Sequence, residues 1–64
     1  MSSAYERIVK RKADLFIAEI ERRKKAGTWD PASVIGVAMD SYARAISEEI
    51  DRLDDQRQRA SNNG

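Results

Sequence analysis

Apolar residues return every three or four positions along almost the whole chain. From residue 5 to residue 20, at about 100° per residue, Tyr5, Val9, Ala13, Phe16, Ile17 and Ile20 fall on one broad face, with Ile8 and Leu15 on its flank. That period is helical. Ser3 with Glu6 three residues on forms a capping box, in which each side chain can reach the other's backbone N–H. Gly27 suits the left-handed position just past a helix end, and Lys24 and Lys25 suit the negative end of the dipole in the last turn. The pattern predicts a first helix over about 3–26 and a turn over 27–30.

The second helix is announced by Asp30, a favoured N-cap, and Pro31, which fits the first helical position. In that register Trp29 and Val34 occupy the two positions that close a hydrophobic staple, which gives the only tryptophan a structural role. Ile35, Met39, Tyr42, Ile46 and Leu53, spaced 4, 3, 4 and 7, form a central stripe with coiled-coil intervals. Ala32, Gly36 and Ala43 border it on one side and Ala38 and Ala45 on the other. The helix is predicted over about 31–57, and the polar residues 61–64 as a disordered tail. A short link between two such helices makes an antiparallel hairpin, a single all-α domain over 1–60. A helix packed on one neighbour needs an apolar stripe of about 100°. Both helices here carry nearly twice that arc, so each asks for two neighbours, as in a homodimeric four-helix bundle.

Composition narrows the work available. The 64 residues include no Cys and no His, so disulfides, the usual zinc sites and the commonest nucleophiles and general bases are excluded. Self-association is the remaining staple for so short a chain. There is no Gly-rich phosphate loop and no metal-ligand cluster, and two near-ideal helices offer no pocket to tune a carboxylate. Catalysis and cofactors are not expected. The longest apolar run, Leu15 to Ala18, is too short to span a membrane, and a cytoplasmic location is expected.

Charge is divided unevenly. Residues 1–27 carry eight Lys/Arg and four Asp/Glu, and residues 28–64 carry four and seven, a basic helix against an acidic one. Many of these charges form i,i+4 pairs on solvated faces. Lys12 and Glu19 lie inside the apolar arc of the first helix, and Glu49 inside that of the second. In a hairpin turning near 28–29, residue 12 falls opposite 45, and a Lys12–Glu49 pair is expected to fix the register. Ile8, Lys12, Leu15 and Glu19, together with Trp29 and a partly exposed Val37, are the candidate protein-binding residues. The function expected from them is that of a small regulatory protein, an adaptor, inhibitor or anti-activator, which binds a larger protein through a helical surface. The alternative is a nucleic-acid-binding homodimer using Arg7, Arg11, Arg22 and Lys25 on a basic face of the first helix. In length and hairpin layout, though in no sequence motif, such a dimer resembles ROP, and that resemblance implies RNA.

Overall fold

The computed structural model describes residues 3–62. Two helices, α1 over Ala4–Ala26 and α2 over Val34–Asn62, pack against each other as an antiparallel hairpin, with a single 3₁₀ turn over Pro31–Ser33 leading into α2. The local signals act where expected. The Ser3 side chain accepts from the Glu6 N–H at 3.1 Å. Gly27, at φ 73°, closes α1 in the left-handed conformation, its N–H donating to the Lys24 carbonyl while the Thr28 N–H reaches the Arg23 carbonyl. Those two bonds are a Schellman cap. Asp30 caps the next element, its carboxylate accepting from the Ala32 N–H at 3.0 Å. Trp29 lies half-buried in the link just before that cap.

α2 runs five residues beyond the expected end at 57, because the i,i+4 contacts Asp54–Gln58 and Asp55–Arg59 support its last turns. Of the tail expected at 61–64, 61 and 62 are therefore helical, while 63 and 64 lie outside the described residues. Since α1 begins at Ala4, the end of α2 beyond about residue 53 projects past it as a single helix, and residues 54–60 are all exposed.

The seam between the helices differs from the expected one. The buried residues of α2 are Val37, Ser41, Ala45 and Glu49, a strict four-residue ladder. They face half-buried Ile8, Lys12, Leu15 and Glu19 of α1. The stripe expected at the centre, Ile35, Met39, Tyr42 and Leu53, is exposed instead, and only Ile46 of that set is half-buried. Small side chains explain the choice: Ser41 and Ala45, at 2% and 1% exposure, let two helices approach closely where isoleucine and methionine would hold them apart. Ser41 brings no unmet polar group, since its hydroxyl donates to the Val37 carbonyl at 2.8 Å.

Ion pairs pin the register. Arg7 reaches across to Glu49 at 2.9 Å and Arg11 to Glu48 at 3.0 Å. The expected Lys12–Glu49 pair does not form: Glu49 is taken by Arg7, which the register brings opposite it, and by Arg52 one turn along α2 at 2.7 Å. Lys12 instead places its ammonium over the Tyr42 ring, 5.4 Å from the centroid, within cation–π range.

Candidate protein-binding surface

The seam divides each helix into two sides. Seen down their common axis, antiparallel helices turn in opposite senses and also face in opposite directions. The residue that follows each seam position therefore lies on the same side of the hairpin in both helices. On that side stand Val9, Ala13, Phe16 and Ile20 of α1 and Ala38, Tyr42, Ile46 and Ile50 of α2. The residues that precede the seam positions are Arg7, Arg11, Asp14 and Ala18, then Gly36, Asp40, Arg44 and Glu48. One side of the hairpin is apolar throughout and the other is mostly charged. The Arg11–Glu48 bridge joins two residues of the charged side, as this geometry requires.

The apolar side is wide and uncovered. On it Val9, Ala13, Tyr42 and Ile50 are exposed and Phe16, Ile20, Ala38 and Ile46 half-buried, while Ile17 at 55% exposure, Ile35 at 70% and Met39 at 67% point away from the seam on the backs of the two helices. Against this, among the described residues the buried apolar ones are Val37 and Ala45, and no large side chain is fully buried. The hairpin exposes 5146 Å², whereas a compact monomer of its mass exposes roughly 4,200 Å². Large contiguous apolar patches are uncommon on the surface of soluble monomers.

Five of the residues expected to bind a partner are part of the hairpin's own seam. Ile8, Lys12, Leu15 and Glu19 line it from α1, and Val37, expected to be partly exposed, is buried at 5%. Trp29 is held in the link. The surface residues that the sequence reading assigned to the core, Tyr5, Val9, Ile17, Ile35, Met39 and Leu53, are the ones left open. The signal for them was present in the breadth of the apolar arc, which exceeds what one neighbour can cover.

The basic residues are largely engaged. Arg7 and Arg11 bridge to α2, and Arg22 bonds Glu19 on its own helix, with Arg23 on the same carboxylate at 2.8 Å. Lys25 is exposed in the last turn of α1. These arginines set the carboxylates' protonation. Hydrogen bonds from Arg22 and then Arg23 hold Glu19 well below the usual range, down to about 2. Arg52, and to a lesser degree Arg7, holds Glu49 at about 2 against the opposing effect of burial. Both groups are charged at neutral pH; Glu49 clamps α1 to α2 through Arg7, whereas both partners of Glu19 lie on its own helix. Beside the turn, Glu19, Arg23, Ser33, Gly36, Val37 and Asp40 line a shallow open notch of about 200 Å³, whose Glu19 and Arg23 already satisfy each other. Among the described residues no cluster of Asp and Glu could hold a metal ion, and no helix is long and apolar enough to cross a membrane. Comparison with protein-family models, with curated proteins and with solved structures finds no match to this chain.

Proposed function

We propose that this chain is a small non-enzymatic regulatory protein that binds a larger protein, as adaptor, inhibitor or anti-activator, through the apolar face of its hairpin. The observation that carries this reading is the two-sidedness of the fold: the chain buries small and charged residues along its seam and leaves Val9, Tyr42 and Ile50 outward on one apolar side. A helical pair with that character fits a groove or helix pair on another protein. A second hairpin on the same face would complete the homodimeric four-helix bundle expected from the sequence. The nucleic-acid alternative draws no support from the geometry, since three of its four cations are spent on glutamates.

The test is affinity capture from host-cell lysate by the intact chain and by the double variant Ile46→Asp, Ile50→Lys. The two new charges, four residues apart, support α2 as an i,i+4 pair while spoiling the apolar face. A protein retained by the intact chain after nuclease treatment and at high salt, and lost by the variant, is the expected result. Material released by nuclease, or held equally by both chains, refutes the reading.

A further inference from the structure

We propose that in the free protein the apolar face is closed by a second copy of this chain, with α1 of each hairpin laid against α2 of the other in a two-fold four-helix bundle. The inference rests on the reading of the apolar face as the binding surface, and it names the occupant. A larger partner protein then competes with the second copy for the same residues.

Three observations select a second copy. The first is need. With Val37 and Ala45 the only buried apolar residues among those described, and no cysteine or histidine to build a disulfide or zinc staple, a 64-residue hairpin has little core of its own. Chains of this size without such staples rely on self-association. A cover needed for folding has to be present whenever the chain is, and another copy always is. The second is size. The paired part of the hairpin is set by the 23 residues of α1, about 35 Å at 1.5 Å per residue, and the molecule is 20 Å across. The face therefore covers on the order of 700 Å², against about 800 Å² per partner in a stable complex.

The third is charge, which also fixes the arrangement. Two hairpins can meet face to face about a two-fold axis in only two ways. With the axis across the bundle, α1 lies on α1 and α2 on α2. With the axis along the bundle, α1 lies on α2 of the other copy. The α1 half carries eight basic and four acidic residues, and the α2 half four and seven. The first arrangement stacks like on like, while the second sets basic against acidic. Every neighbouring pair of helices is antiparallel in both arrangements, so the helix dipoles oppose in each and the charge of the two halves makes the choice.

Sedimentation equilibrium on the intact chain from low micromolar to millimolar concentration, with helicity followed by circular dichroism in the same samples, decides the occupant. The expected mass is twice the 7.3 kDa of one chain, with helicity falling on dilution as the dimer dissociates. The Ile46→Asp, Ile50→Lys variant is expected to sediment as one chain, while Arg44→Gln, on the charged side, keeps the dimer. A spin label on Thr28→Cys, exposed in the turn of a cysteine-free chain, reads the arrangement. With the axis along the bundle both turns lie at one end, within about 20 Å of each other, and with the axis across it they lie about 40 Å apart. A single-chain mass with full helicity at every concentration overturns the proposal and leaves the face free for a different protein, so the proposed function stands. A mass beyond two chains, or labels 40 Å apart, also overturns it. A dimer that persists in the double variant refutes the proposal together with the assignment of the apolar face. If the double variant does not fold, the dilution series on the intact chain still decides the matter.

Discussion

Replacing Ala45 with leucine tests the seam where it is tightest. Ala45 is the least exposed residue among those described, at 1%, and stands third in the ladder Val37, Ser41, Ala45, Glu49. Alanine and leucine have nearly equal helix propensity, so the substitution leaves the intrinsic stability of α2 almost unchanged. Its cost comes from three added carbons at a site with no room for them. Overpacking of this kind costs about 1–3 kcal/mol. In a domain of this size each kcal/mol lowers the melting temperature by about 4–8 °C. Parting the helices at Ala45 also lengthens the Arg11–Glu48 and Arg7–Glu49 bridges on the neighbouring turn, so the upper half of that range is expected. The assay is urea and thermal unfolding followed by circular dichroism, at one protein concentration because association contributes to apparent stability. Ala18→Leu, exposed on the charged side of α1, is the control and should lie within about 0.5 kcal/mol of the parent. If Ala45→Leu proves as stable as that control, the helices do not meet along this ladder. The stripe of Ile35, Met39 and Tyr42 would then be the true seam, and Met39→Ala the costly change.

Further outcomes follow from other parts of the hairpin. The folded-state values of Glu19 and Glu49 lie at about 2, below the ordinary 4.5. Their contribution to stability is thus complete above about 4.5 and lost as pH falls from there toward 2; a denaturation midpoint that stays level or rises across that window, at constant ionic strength, contradicts these ion pairs. Gly27→Ala, forced to adopt φ 73°, should lose about 1–2 kcal/mol in urea unfolding. Gly36→Ala should gain about 0.5–1 kcal/mol, because a Cβ there meets nothing within 4 Å; equal effects at the two glycines would contradict the cap geometry. A double-mutant cycle on Arg11→Ala and Glu48→Ala, both about half exposed, should yield a coupling of about 0.2–1 kcal/mol that shrinks in high salt. A coupling of zero at low salt would mean the bridge does not hold the helices together.

What could be read from the sequence was local. Ser3, Gly27, Asp30 and Pro31 act through the few backbone groups beside them, so their roles do not depend on how the helices later pack. The antiparallel register was also legible, because a short link leaves little freedom, and residues 7 and 49 meet within about a turn of where the register places them. The choice of seam was not legible. Each helix offers two adjacent arcs, and hydrophobicity alone ranks the richer one, with Ile35, Met39 and Tyr42, as the inner. The chain instead closes along Val37, Ser41, Ala45 and Glu49, where close approach and a carboxylate held by Arg7 and Arg52 outweigh apolar area. Ile8, Leu15 and Val37 accordingly line the seam, and Ile17, Ile35 and Met39 are exposed. The breadth of the arc was the right signal; which half of it faces inward depends on interhelical distance, which a one-dimensional pattern does not contain.

The projecting end of α2 has a consequence of its own. An isolated helix this short is unstable in water because starting one is costly, while extending one that already exists is cheap. Residues 54–62 are therefore helical on loan from the paired part of α2, with only the local Asp54–Gln58 and Asp55–Arg59 contacts to help. Trypsin should cut first at Arg57 and Arg59, leaving the hairpin intact, and backbone amides there should exchange with solvent long before those around Ala45. The same segment is the natural place to attach a tag or a fluorophore. Any loosening of the hairpin will show there first, as the unwinding of a helix that touches nothing.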